Sequence, residues 1–154
     1  MTPVPVTLVV NGVRSTAHLD PHRTLLSVLR TNLGVTGPKE GCDDSECGAC
    51  MVLLNGSPVN SCSYLAVQAD GFEVTTVEGI GDPEALDPVQ RELLAAGGVQ
   101  CGFCTPGIVV SATALLESVP RPDEEQVRVA LAGNLCRCTG YQKIVAAVLR
   151  ASRS

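Results

Sequence analysis

The segment Gly41–Cys50, GCDDSECGAC, decides how this chain is read. It holds Cys42, Cys47 and Cys50, the carboxylates Asp43, Asp44 and Glu46, and otherwise only small or polar residues. No apolar side chain is available there to hide the thiols, so burial in a core does not explain the run. A fourth cysteine, Cys62, follows after eleven residues. A second set of four lies downstream as Cys101-x2-Cys104 and Cys136-x-Cys138. Scattered buried thiols would not fall into two compact quartets, and a reduced compartment does not favour a disulfide scaffold.

Three ligands on one short loop (Cys-x4-Cys-x2-Cys) with a fourth returned from beyond a strand is the plant-type 2Fe–2S spacing. Thiolates carry negative charge onto the metal, and the loop must wrap closely enough for backbone N–H groups to face the sulfurs. Gly41, Gly48 and Ala49 allow that approach. Asp43, Asp44 and Glu46 are expected to face water. Zinc sites more often bring two close pairs, which makes zinc a poor match to the first quartet but leaves it open for the second. For the second, Cys104 directly precedes Thr105-Pro106 and Cys138 directly precedes Thr139-Gly140. Both are read as helix starts, whose N–H groups and partial positive charge suit an anionic cluster.

Around these sets the first half reads as β structure. VTLVVNGV runs into Asn11-Gly12, a tight-turn signal, and RSTAHL returns. MVLLNGSPVN repeats the device at Asn55-Gly56, and Phe72–Val77 alternates as a later strand. Between them TLLSVLRTNLG predicts a helix capped by Thr24 and ended by Gly34. These elements imply a small mixed sheet of the ubiquitin-like, β-grasp kind. The second half reads as four short helices: DPVQRELLAAGG capped by Asp87, TPGIVVSATALLESV opening at Thr105, PDEEQVRVALAG with acidic residues in its first turn, and TGYQKIVAAVLRAS. The expected fold is therefore α+β, with a β-grasp domain over 1–78 and a four-helix bundle over 79–154. The boundary lies in the Gly/Asp/Pro-rich EGIGDPEALD.

Composition excludes several classes. The net charge of −5 and 3% aromatic content, with no Trp, supply neither the basic surface nor the stacking platform of a nucleic-acid binder. There is no apolar run of membrane-spanning length and no secretory signal pattern, so a soluble, cytoplasmic chain is expected. There is no nucleophile with an adjacent base, no paired carboxylates and no phosphate-cradling glycine loop. His18 and His22 lie away from both cysteine sets and are expected at the surface. Arg137 is either a solvent-facing charge or a partner to the cluster. Tyr141 and Lys143 read as helix surface or subunit contact.

GCDDSECGACMV, QCGFCTPG and GNLCRCTGYQKI together resemble the three signature segments of the small iron–sulfur subunit of the molybdenum hydroxylases, the xanthine oxidase family. The resemblance spans nearly the whole chain. It is closest to the branch with separate small, medium and large subunits, which includes carbon monoxide, 4-hydroxybenzoyl-CoA and N-heterocycle enzymes. It implies two 2Fe–2S clusters: Cys101, Cys104, Cys136 and Cys138 hold the one nearest a pterin, and Cys42, Cys47, Cys50 and Cys62 the one nearer FAD. Gln100 and Cys138 match residues that touch the pterin. The implied partners are a large subunit with molybdopterin and molybdenum and a medium subunit with FAD, in an αβγ protomer commonly doubled to a dimer of heterotrimers. The chain itself would relay single electrons and perform no substrate chemistry. Its DDSE between the first two cysteines departs from members with glycine-rich residues there and leaves the ligands untouched. Two other readings remain open at this point: a free-standing ferredoxin-like carrier, and a redox-sensing module with one 2Fe–2S centre and one zinc.

Overall fold

The computed structural model describes residues 2–154. Strands β1 (Val4–Val10) and β2 (Val13–Leu19) form an antiparallel hairpin closed by the pair Val10 and Val13. Asn11 and Gly12 between them both take positive φ, 49° and 80°, the two-residue turn whose twist matches paired strands. Strands β3 (Met51–Leu54) and β4 (Ser57–Asn60) repeat this around Asn55 and Gly56. Strand β5 (Glu73–Thr75) then inserts between the hairpins, parallel to β1 and antiparallel to β3. The sheet order is β2-β1-β5-β3-β4. Helix α1 (Leu25–Thr31) covers one face, with Leu25, Val28 and Leu29 buried against Val6, Leu8, Val52, Leu54 and Val74. The expected cap is present: the Thr24 hydroxyl accepts from the Ser27 N–H.

Four helices follow: α2 (Pro88–Ala95), α3 (Thr105–Ser118), α4 (Glu124–Ala130) and α5 (Gln142–Ala151). They bury one apolar core that includes Leu93, Ile108, Val109, Val127, Ile144 and Val148. That core also takes in Leu53 from β3 and Ile80 from the connecting segment, 4% and 7% exposed. Strand β3 is thus buried on both faces, with Val52 and Leu54 turned toward the first core and Leu53 toward the second.

The connecting segment is pinned where it leaves the sheet. The Asn11 amide donates to the Thr76 hydroxyl and its carbonyl accepts the Thr76 N–H. The Glu78 carboxylate accepts from the Gly37 N–H and the Thr76 hydroxyl. At α2, Asp87 and Gln90 cap reciprocally, with Asp87 Oδ1 accepting from Val89 and Gln90 Oε1 accepting from Asp87 N–H. Asp87→Ala is expected to lower stability by about 1 kcal/mol, read as the midpoint of chemical denaturation.

Helix α3 opens at Thr105 as read, with Cys104 in the cap position and no side-chain bond there. The other helix start differs from the sequence expectation. Helix α5 begins at Gln142, so Cys138 does not directly precede it. The cause is local: Gly140 and Tyr141 have φ of 66° and 67°, which a right-handed helix excludes. Among the described residues only one helix N-terminus, that of α3, lies directly next to a cysteine of the second quartet.

Candidate metal centres

Three cysteines of the first quartet lie on the loop that wraps from α1 to β3, and Cys62 follows β4. Arg30 of α1 holds the loop's approach by donating to the Thr36 and Pro38 carbonyls, at 2.9 and 2.8 Å. The loop then turns three times through positive φ, at Asp43, Ser45 and Gly48. Two of these residues are not glycine, and strain of this kind persists where the surrounding structure imposes it. Such turns aim N–H groups inward: that of Cys47 reaches Cys42 Sγ at 3.3 Å. Gly41 has no room for a side chain, since a Cβ there would stand 2.9 Å from Cys47 Sγ. Asp43, Asp44 and Glu46 are exposed, as expected. Contact with Cys42 holds the Asp44 carboxyl below its ordinary value.

The eight thiols are arranged as pairs. The Cys47 N–H reaches Cys42 Sγ, and the Cys47 and Cys50 thiols are each raised by burial and by a neighbouring thiol, Cys42 and Cys62 respectively. Cys138 Sγ lies 3.6 Å from Cys101 Sγ, and Cys104 is in hydrogen-bond contact with Cys136. Among the described residues no group of three or more His, Cys, Asp or Glu is placed to share one metal ion. Two sulfur pairs per site suit a binuclear cluster, in which each metal takes two protein thiolates, better than a single tetrahedral zinc. All eight cysteines are free.

Each site has one sheltered pair. Cys50 and Cys62, 2% and 6% exposed, pack with Leu26 of α1, and burial pushes the Cys50 thiol up to about 11. Burial, aided by the Cys136 contact, pushes the Cys104 thiol up to about 12. For Cys136 burial also acts upward, but hydrogen bonds from Thr139 and the backbone of Cys138 and Thr139 outweigh it and bring the thiol below its ordinary value. Cys101 and Cys138 are exposed, and their mutual contact raises Cys138. Gln100 is exposed at the same mouth, its amide donating to the Cys138 carbonyl at 3.2 Å. His18, His22, Arg137 and Lys143 are exposed. Tyr141 is half-buried and bonded within the second site.

The two sites meet. The Leu135 N–H donates to the Cys47 carbonyl at 2.9 Å, so one hydrogen bond and one peptide link a cysteine of the first quartet to Cys136 of the second. Asn134, 2% exposed, donates through Nδ2 to the Gly48 carbonyl at 3.1 Å. The Tyr141 hydroxyl accepts the Cys136 N–H at 2.7 Å and donates to the Asn134 carbonyl at 3.1 Å. Gly107 in the first turn of α3 lies against Gly48: a Cβ on it would stand 2.1 Å from the Gly48 oxygen. Sequence reasoning did not find Asn134, Gly107, Thr139 or Ser45. The one signal was Gly107 itself, a poor helix former inside a predicted helix.

Comparison with known proteins agrees with this arrangement. Residues 8–79 match the family described as "2Fe-2S iron-sulfur cluster binding domain", and residues 76–149 the "2Fe-2S binding domain" family. The chain is 47% identical over 148 residues to the nicotinate dehydrogenase small FeS subunit of Eubacterium barkeri, covering 96% of this chain and 94% of that one. It is 49% identical to the nicotine 6-hydroxylase small subunit of Paenarthrobacter nicotinovorans, over 96% of this chain and 89% of that one. The crystal structure of quinoline 2-oxidoreductase from Pseudomonas putida 86 contains a chain that superposes with a TM-score of 0.92 at 38% identity, covering 99% of this chain and 98% of that one. Among the described residues no helix is long and apolar enough to cross a membrane. Two family models that together span residues 8–149, and relatives matched over 96% of the chain, place it in the molybdenum hydroxylase family as an iron–sulfur, electron-transferring subunit.

Proposed function

We propose that this chain relays electrons between a large subunit bearing molybdopterin and molybdenum and a medium subunit bearing FAD. In this reading Cys42, Cys47, Cys50 and Cys62 hold one 2Fe–2S cluster within a β-grasp domain over 1–78. Cys101, Cys104, Cys136 and Cys138 hold the other within a four-helix bundle over 79–154. When bound, each cluster supplies a one-electron redox centre. The observation that carries the proposal is the Leu135–Cys47 hydrogen bond, because it ties the two thiol sets into one short through-bond route.

The chain's own residues set which partner each site meets. Cys101, Cys138 and Gln100 form an open mouth at the second site, which suits contact with the pterin. Phe103, 46% exposed, and Leu135 flank the cysteines with apolar surface for a large partner. The first site, rimmed by Asp43, Asp44 and Glu46, faces the flavoprotein. The complex is read as an αβγ protomer doubled to a dimer of heterotrimers, and the substrate pocket belongs to the large subunit. A cytoplasmic location fits eight thiols that must stay reduced until loaded.

Purified with its partners, the chain is expected to contain about four irons, no stoichiometric zinc, and two distinct EPR signals after dithionite reduction. It is also expected to copurify with two larger polypeptides. Two irons plus one zinc would support the sensing module, and a monomer free of large partners would support the free-standing carrier; either result refutes the relay.

A further inference from the structure

The reading above explains the eight cysteines but not the hydroxyls that touch them. Thr139 Oγ1 lies 3.1 Å from Cys136 Sγ. Ser45 Oγ lies 3.6 Å from Cys62 Sγ. Each thiol quartet therefore has one side-chain hydroxyl against one of its sulfurs.

The local structure fixes the Thr139 contact. Tyr141 N–H donates to Thr139 Oγ1 at 3.3 Å, which occupies an acceptor position on the hydroxyl and leaves its proton to point elsewhere. Tyr141 can reach back this way because its φ is 67°. Its own hydroxyl takes the Cys136 N–H, which anchors the cysteine from the other side. Thr139 is half-buried, so water does not freely substitute for it. A metal-bound cysteine sulfur has no proton and can only accept, so the hydroxyl must be the donor when the site is loaded. Hydrogen bonds to the ligand sulfurs are among the features that set the potential of an iron–sulfur cluster. A donor draws electron density from the thiolate and favours the more negative, reduced state, as charge-assisted bonds do in general.

We propose that Thr139 is a positioning residue that raises the reduction potential of the second cluster through its hydrogen bond to Cys136. Ser45 does the same, more weakly, for the first cluster through Cys62. The pair of hydroxyls, one short contact and one long, sets the potential step between the two centres. This rests on the two-cluster reading above.

The test is a redox titration of the two EPR signals in the complex purified with its partner subunits, for wild type, Thr139→Val, Thr139→Ser and Ser45→Ala. Thr139→Val preserves shape and removes the donor; it is expected to lower the potential of the second cluster and leave the first in place. Thr139→Ser restores the donor and is expected to titrate as wild type. Ser45→Ala is expected to lower the first cluster only, by a smaller shift. The inference is overturned if Thr139→Val leaves the second cluster at its wild-type potential, moves both clusters together, or behaves like Thr139→Ser. Loss of the second cluster's iron from Thr139→Val overturns it as well, because the hydroxyl would then serve retention and not tuning. A wild-type complex without two signals refutes the two-cluster reading itself, so the two failures are distinguishable.

Discussion

Cys104→Ser is expected to leave the chain with one cluster instead of two. Cys104 sits at the N-terminus of α3, half-buried and packed against the helical core, with Cys136 as its partner. A serine hydroxyl is harder, shorter and far less acidic than a thiol, so it does not supply the thiolate that soft-metal binding needs. The second site would keep Cys101, Cys136 and Cys138, with the sheltered pair broken. Iron content should fall to about half that of wild type, and one EPR signal should vanish while the other persists. Cys50→Ser should produce the converse, since Cys50 and Cys62 form the sheltered pair of the first site. An unchanged visible spectrum and iron content in Cys104→Ser would remove the second quartet from the assignment.

Gly107→Ala is expected to destabilise the protein although alanine is the better helix former. Propensity alone favours the change by about 1 kcal/mol. Against that, the added Cβ would stand 2.1 Å from the Gly48 carbonyl oxygen and 3.1 Å from Asn134 Nδ2. The oxygen belongs to backbone and cannot swing aside, and forced overpacking costs about 1–3 kcal/mol. Displacing that carbonyl also frees the Asn134 amide, whose Oδ1 is already buried without a partner. A newly unsatisfied buried donor costs a further ~1–3 kcal/mol. The net loss is about 1–5 kcal/mol, read as a lower unfolding midpoint in urea. Gly56→Ala is the comparison: its φ is 81° but nothing lies within 4 Å, so only the conformational cost of about 1–2 kcal/mol applies. A stabilised Gly107→Ala protein would mean that the two loops are not tightly locked.

What could be read from the sequence follows from which forces are local. Cysteine spacing is legible because a metal site restricts it, and the structure brings Cys138 Sγ to 3.6 Å from Cys101 Sγ and the Cys47 N–H to 3.3 Å from Cys42 Sγ. Asn11-Gly12 and Asn55-Gly56 announce their turns because few other residues tolerate the required φ. Thr24 and Asp87 cap helices as their side-chain chemistry predicts, whereas Asp123, read as a first-turn acid, is the cap of α4. The start of α5 was not legible: tyrosine has no preference for φ of 67°, and Tyr141 is held there by bonds to Cys136, Asn134 and Thr139. The same holds for Asn134 and Gly107. Their roles exist only against Gly48, far away in the chain, and apart from a glycine inside a predicted helix a single sequence does not point to that meeting. MVLL gave a strand without revealing that Leu53 would belong to the other core, since burial on both faces erases alternation.

That double burial of β3 bears on how such a unit can be passed between proteins. Excising the first half as a miniature redox carrier would leave Leu53 facing water, a cost of about 1.5–3 kcal/mol for that side chain alone. It would also strip the Cys47 and Gly48 carbonyls of the donors on Leu135 and Asn134. The two halves are therefore suited to transplantation, fusion and duplication as a single cassette.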